Sequence, residues 1–259
     1  MKNASTLALD PPQTGILARA ATLLYGITCY VLGVAGLSWL ILVSLDVVPL
    51  TGGPIALAST GQAIALNLGL VALFGLQHVI MARTSFKQRW RQVLPEATER
   101  PTFVVLAGLL MALAMWLWQP LPTVIWQVEQ PILSSGLWIL GALGWAYLLG
   151  SSFVINHFEL FGLQQVWNAF RGKTTPQVPF VLRLVYRVHR HPLMVGVLIG
   201  LWSKPTMTVG HLVMALGFTT YIFLGTRIEE RTLIGLHGES YEDYRRRVPG
   251  FLPRLRKAA

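Results

Sequence analysis

Apolar runs and polar breaks alternate along the chain on a scale set by a bilayer rather than by a soluble core. Intervals 20–45, 47–82, 101–128, 130–158 and 205–226 contain no Asp, Glu, Lys or Arg. Each exceeds the ~20 residues that a helix needs to cross the hydrocarbon layer. Interval 191–203 is shorter, and at 1.5 Å per residue covers only ~20 Å. It is expected to pair with 205–226 as a helical hairpin turning at Ser203-Lys204-Pro205. Thr51-Gly52-Gly53-Pro54 reads as an external turn. Pro120, Pro122 and Pro131 mark a second external loop, with Trp116, Trp118 and Trp126 as an interfacial aromatic belt. The last long helix is expected from Thr206 to about Leu236, broken by Gly235 and Gly238. Ser240 and Asp243 have the spacing of an S-x-x-D cap, opening a short helix that Pro249 ends. The predicted fold is an all-α integral membrane protein: four transmembrane spans, a C-terminal helical hairpin and a short cytoplasmic capping helix. Residues 1–259 form one membrane domain, with an N-terminal four-span part at 16–160 and a C-terminal hairpin and lid at 180–253.

Composition supports the pattern. Of 259 residues, 53% are hydrophobic and 12% charged, about half the charged share of soluble domains. This excludes a disordered chain, a disulfide scaffold and an ordinary water-soluble enzyme. Twenty of the 21 basic residues lie in the N-terminal segment, in 83–100, in 159–190 or beyond 226; only Lys204 falls on the other side. The positive-inside rule therefore puts both termini and the long loops in the cytoplasm, which in a bacterium means the inner membrane. The net charge of +10 sits at helix ends, where anionic lipid headgroups are the simplest partner. No nucleic-acid motif occurs, and no feature fixes an oligomeric state. Cys29 is the single cysteine, so no internal disulfide forms and it is expected to pack in the first span.

The standard soluble sites are missing. The chain has no H-E-x-x-H, C-x-x-C or G-x-x-x-x-G-K-[ST] motif, and no G-x-G spacing for a Rossmann turn. The few ionisable groups near the spans become the candidates. Tyr186-Arg187-Val188-His189-Arg190-His191-Pro192 enters the short arm. Proline at a first helical turn leaves amides and a guanidinium facing one point, suited to an anion; the plain alternative is a basic membrane anchor. His189 and His191 are two apart and cannot share a helix face, so they do not make a metal pair. Arg227-Ile228-Glu229-Glu230-Arg231 leaves the last span as either an interfacial ion cluster or a carboxylate site for ribose or ammonium groups. Asn156-His157-Phe158-Glu159 closes the fourth span as either a catalytic pair or a solvated helix end, and His78, following Gln77 a turn before Arg83, is either a packing histidine or a functional one that needs a partner in the membrane. Gly196 and Gly200 form G-x-x-x-G, read as close packing within the hairpin, with a bound cofactor as the rival reading.

With these residues in view, the chain resembles a known superfamily. Arg190-His191-Pro192-Leu193, Gly196, Glu229-Glu230, Gly238-Glu239-x-Tyr241-x-x-Tyr244 and Arg247-Val248-Pro249 resemble the isoprenylcysteine carboxyl methyltransferases. Gln77-His78, Met81-Ala82-Arg83, Phe86-Lys87, Asn156-His157-Phe158-Glu159-Leu160-Phe161-Gly162-Leu163 and Pro205-Thr206-Met207-Thr208 look like the methanethiol S-methyltransferase family. The related NnrU family shares part of the second-span pattern. The resemblance implies S-adenosylmethionine as methyl donor, methanethiol or another small thiol as acceptor, and dimethyl sulfide as product. It places Arg190, His191, Pro192, Leu193, Gly196, Glu229, Glu230, Tyr241 and Tyr244 in the donor site, with no metal. Met194 departs from relatives that carry an aromatic residue nearby.

The chemistry then needs a thiolate in a dry pocket, because a neutral alkyl thiol is mostly protonated at pH 7, as the free Cys pKa of ~8.5 suggests. Either a base takes the proton or positive charge favours the anion. His157 and His78 are the base candidates, with Glu159 orienting, and Phe158, Trp167 or other bulky groups are expected to close the cavity. Methylation of a lipid or prenylcysteine, and a non-catalytic NnrU-like role, are the alternatives.

Overall fold

Absence of charge over more than 20 residues leaves the backbone no solvent to bond in a bilayer, so these intervals satisfy their own peptide groups as helices. The computed structural model describes residues 15–175 and 184–252. Its elements in order are α1 (Ile16–Ser44), α2 (Thr60–Ala82), α3 (Thr84–Val93), α4 (Glu99–Leu117), β1 (Val124–Gln127), α5 (Pro131–Ile155), α6 (His157–Leu160), α7 (Leu163–Phe170), α8 (Pro192–Trp202), β2 (Thr206–Thr208), α9 (Val209–His237) and α10 (Glu239–Arg247). Among the described residues α1, α2, α4, α5 and α9 are long and apolar enough to cross a membrane, and α8 is not. The all-α membrane fold stands, and its span count is corrected from four plus a hairpin to five full-length helices and one short one.

The hairpin is corrected further, because α8 packs chiefly on α5, and α9 on α2. A Cβ on Gly144 would lie 2.7 Å from the Gly200 amide nitrogen, and one on Gly196 would lie 2.6 Å from the Gly144 carbonyl. The G-x-x-x-G stripe therefore brings α8 against the backbone of α5, not against its sequence neighbour. The same device joins α1 to α4, where a Cβ on Gly36 would collide with the Gly108 carbonyl.

α1 ends, and α2 begins, at the end of the bundle that holds the antiparallel pair β1–β2, with Val124 opposite Thr208 and Gln127 opposite Thr206. This ribbon takes the residues expected to begin the last helix, which starts instead at Val209 with the Thr208 hydroxyl accepting from the His211 amide. Trp118 is not part of an exposed belt. It is fully buried, and its indole N–H reaches the Gly210 carbonyl at 3.3 Å. The opposite end carries α3, α6, α7 and α10, and is called the basic end below. Gly235 lies inside α9, and only Gly238, with φ +55°, breaks the chain before α10. α10 begins at Glu239 with Gly238 as its cap position, two residues ahead of the expected Ser240 cap. Cys29 is buried in α1.

Candidate active site

The start of α8, the end of α9 and the chain after α10 converge at the basic end. Pro192 occupies the first turn of α8, where its missing N–H costs nothing. The amides of Arg190 and His191 donate to the carbonyls of Pro249 (2.9 Å) and Gly250 (3.2 Å), so the segment after α10 folds back over the start of α8. Arg190 Nε donates to Glu230 Oε1 at 2.8 Å. Its terminal nitrogen donates to the carbonyls of Arg245 (3.0 Å) and Val248 (2.5 Å), a cation closing the C-terminal turn of α10. His191 Nε2 lies 2.9 Å from the same Glu230 oxygen. Arg190, His191 and Glu230 are thus committed to one another and to the end of α10.

Glu229 is different. Its side chain is 54% exposed, and its polar neighbour at closest range is His191 Nδ1 at 3.8 Å. The charges of His191, Glu230 and Arg100 act on it, and it acts on the hydroxyls of Tyr186, Tyr221 and Tyr241. Tyr241 and Tyr244 are buried against Leu233 and Ile234 of α9. Tyr244 donates to the Tyr186 carbonyl at 2.7 Å, and burial raises its hydroxyl pKa to about 12. Burial also raises those of Tyr186 and Tyr241. Among the described residues, the Tyr186 hydroxyl and His189 Nδ1 are buried without a hydrogen-bond partner. His191 stacks on Phe251 (5.7 Å), which meets Phe223 (4.8 Å). An open carboxylate, two unpaired polar atoms and a row of flat rings can bind hydroxyl or ammonium groups and an aromatic ring. Leu193 is half-buried beside them, while Pro192 and Gly196 are buried, Gly196 against α5.

A second space lies between α1, α2 and α4, a cavity of about 200 Å³ lined by Phe74, His78, Arg100, Phe103, Met111 and Phe161 among others. His78 is enclosed by Phe74 (4.3 Å), Phe103 (4.8 Å) and Tyr221 (5.9 Å). Tyr221 lies eight residues before Glu229 on α9, ~12 Å along the axis. α9 thus touches one wall residue of the cavity, His78, and carries the carboxylate cluster about two turns further on.

The structure does not bring Glu159 to His157 as an orienting acid. The Glu159 carboxylate accepts from Asn156 Nδ2 at 3.1 Å. His157 Nδ1 lies 2.8 Å from Ser152 Oγ, and Nε2 lies 2.9 Å from the Tyr30 hydroxyl. Ser152 already donates its one hydrogen to the Leu149 carbonyl (2.6 Å), so His157 Nδ1–H donates to Ser152 and Tyr30 donates to Nε2. Both ring nitrogens are engaged, the ring is stacked on Phe153 at 4.2 Å, and burial lowers its pKa. Phe158 and Trp167, expected to close the cavity, are exposed and do not line it; Leu160 and Phe161 do. Arg100, Tyr30 and Ser152 carry this geometry without a motif to announce them. One signal for Arg100 exists: a cation in the first turn of a helix opposes the macrodipole and needs another reason to be there.

No family model matches the chain, and no solved structure matches it. Among curated proteins, a methanethiol S-methyltransferase of Mycobacterium tuberculosis is 43% identical over 238 residues, 92% of this chain and 98% of that protein. Methanethiol S-methyltransferase 2 of Bradyrhizobium diazoefficiens is 42% identical over 254 residues, 93% of each chain. Nurim of Xenopus laevis is 31% identical over 175 residues, 64% of this chain and 61% of its own length.

Proposed function

The chain belongs to the methanethiol S-methyltransferase family, and from that membership we propose that it methylates methanethiol with S-adenosylmethionine, releasing dimethyl sulfide, at the basic end of the bundle. The observation that carries the reading is the adjacency of two chemically distinct spaces along α9: an open carboxylate among aromatic rings, and a small apolar cavity.

The first space suits the methyl donor. Glu229 accepts hydrogen bonds from ribose hydroxyls or the ammonium group. The Tyr186 hydroxyl and His189 Nδ1 are buried polar atoms whose partners a ligand supplies. His191, Phe223 and Phe251 offer faces for adenine. Arg190 and Glu230 act one layer out, holding α10 and His191 in place. When bound, the donor supplies a methyl group on a sulfonium, an electrophile that leaves as a neutral sulfide.

The second space suits the acceptor. Apolar cavities of about 150 Å³ accept benzene, so about 200 Å³ has room for a one-carbon thiol. Dry walls strip water from the sulfur and favour alignment for displacement. His78 lines this space and serves as proton acceptor, whereas His157 has both nitrogens occupied. The basic loops set this end in the cytoplasm, where the donor is made, and an uncharged volatile thiol reaches it through the membrane.

The test is headspace gas chromatography of purified protein in detergent, with S-adenosylmethionine and methanethiol, alongside calorimetric donor binding. Donor-dependent dimethyl sulfide is expected. Glu229→Gln is expected to weaken donor binding about ten-fold or more, the worth of one charge-assisted hydrogen bond. Donor binding without dimethyl sulfide would overturn methanethiol as acceptor, and product from lipid extract alone would replace it with a lipid.

A further inference from the structure

We propose that Arg100 is the thiolate-binding group of this enzyme, its guanidinium holding the acceptor sulfur as an anion in the cavity between α1, α2 and α4. This rests on the methyl transfer proposed above and adds a catalytic residue to it.

Arg100 stands in the first turn of α4, where the helix dipole is unfavourable to a cation, and it lines an apolar cavity where an unpaired charge is costly. Nearby acids favour its charge through space but do not pair with it. Glu99 pairs with Lys87 (3.5 Å) and Arg91 (3.3 Å). Glu159 accepts from Asn156. Glu229 acts on Arg100 only through space. Among the described residues no carboxylate lies within ion-pair distance of Arg100. Its holders are neutral: Nε donates to the Leu160 carbonyl at 2.6 Å, and the guanidinium carbon lies 4.9 Å from the centre of the Phe103 ring. A guanidinium has five N–H donors, and those of the two terminal nitrogens have no hydrogen-bond partner among the described residues. A fixed cation with unused donors beside an apolar cavity is a site for a small anion.

The cavity selects which anion. Its remaining walls are Phe74, Phe103, Val104, Met111 and Phe161 with little polar surface, so a strongly hydrated oxyanion would lose water it could not replace. A methyl thiolate carries one diffuse charge and an apolar body, and needs one cation and dry walls. A positive charge within ~4–6 Å lowers an acid's pKa by about 1–3 units, which raises the thiolate fraction at pH 7 by about ten-fold or more. Four ionisable groups act around the guanidinium: Glu99 on its own helix, Glu159 on α6, Glu229 on α9 and His78 on α2. In the step, the acceptor S–H bond breaks, the proton passes to His78 and then to water, and the sulfur keeps the electron pair. That pair forms the new S–C bond as the C–S bond of the donor sulfonium breaks and its electrons return to the donor sulfur. Both products are uncharged sulfides, so dimethyl sulfide keeps no charge for Arg100 to hold.

The test compares wild type, Arg100→Met and Arg100→Lys in kcat against pH from 6.5 to 9.5 at saturating methanethiol, with calorimetric donor affinity and thermal unfolding in detergent. The expected result is a loss of about ten-fold or more at pH 7 in Arg100→Met, with the acidic limb of kcat moved up by about one pH unit or more, so that the deficit narrows towards pH 9.5. Arg100→Lys is expected to recover part of the loss, and donor affinity to stay within about two-fold. Equal pH profiles, or a loss of donor affinity that accounts for the deficit, would overturn the proposal. If Arg100→Met does not fold, the wild type decides: its acidic kcat limb is expected about one unit or more below the pKa of free methanethiol in the same buffer, and a limb at that pKa overturns the proposal. No dimethyl sulfide from wild type overturns the functional reading itself, and is recognised by being independent of residue 100.

Discussion

His78 and His157 look alike in the sequence and occupy opposite chemical situations. His157 is a crosspiece between α1 and α5: Tyr30 and Ser152 hold its two nitrogens, and Phe153 and Phe161 flank its ring. Its loss strands the Tyr30 hydroxyl, while Ser152 keeps its bond to the Leu149 carbonyl; an unsatisfied buried group costs about 1–3 kcal/mol. His157→Ala is therefore expected to lower the thermal unfolding temperature in detergent. Burial lowers the His157 pKa, so below the ordinary histidine range near 6.5 the unfolded chain binds more protons than the folded one. Stability falls as pH falls through that range, and the slope is expected to flatten in His157→Ala. His78→Ala is expected to behave in the reverse sense, with turnover reduced about 10²–10⁴-fold, the usual contribution of a general base, and donor affinity kept. Headspace product rates and melting curves on the two variants separate the roles; a stable His157→Ala protein with lost turnover would reverse them. What hid this from the sequence is that Tyr30 and Ser152 belong to apolar spans and look like ordinary packing residues. Arg100 was hidden in the same way, counted with Arg83, Lys87, Arg89 and Arg91 as one more cation of a basic loop.

At the scale of elements, long charge-free intervals identify helices because a bilayer tolerates few other backbone solutions. That is why α1, α2, α4, α5 and α9 are legible. Their partners are not. Gly196 and Gly200 announce that a backbone approaches α8, but the approaching one, α5, is known only once Gly141, Gly144 and Trp145 are seen against them. β2 has three residues and no alternation long enough to separate it from a helix start. The α5–α8 contact bears on the proposed donor site because α8 begins at the Arg190–His191 corner. Gly144→Ala and Gly196→Ala each push a methyl to within 3 Å of backbone, where overpacking costs about 1–3 kcal/mol. Both are expected to lower melting temperature and weaken donor binding together. Gly136→Ala, on the same α5 with open space around it, is expected to leave donor binding unchanged and to gain a few tenths to about 1 kcal/mol of helix stability. Equal melting temperatures across the three variants would remove the α5–α8 seam as the determinant.

At the scale of the whole molecule, chemistry gathers at the basic end, and one ion pair closes the other. Lys204 sits between α8 and β2, is 2% exposed, and donates to Asp46 Oδ1 at 2.5 Å and to the Ser44 carbonyl at 3.1 Å. Its ammonium also lies 4.7 Å from the Trp138 ring centre on α5. One side chain thus ties the end of α1 to α5 and to the α8–β2 turn, and so joins the α1–α4 and α5–α8 pairs far from the active site. The two partners are not equivalent, since Asp46 is half-exposed while the ammonium is buried. Burial lowers the Lys204 pKa, and Asp46 pulls against that shift. Removing the carboxylate strands a buried charge, which costs about 3–5 kcal/mol. Removing the lysine leaves an acid that water solvates, and an apolar chain of similar length is often neutral or stabilising there. Asp46→Ala is accordingly expected to lower the melting temperature well below that of Lys204→Met. The sign with pH follows from the lowered lysine pKa: the unfolded chain binds the proton more tightly, so stability falls as pH falls towards neutrality and rises as Lys204 loses its charge. The Asp46→Ala deficit is therefore expected to shrink between pH 7 and pH 10, and the double variant to melt near Lys204→Met at every pH. Melting curves of the three variants across that range decide it, and an Asp46→Ala deficit that does not change with pH would show that the pair acts through packing rather than charge.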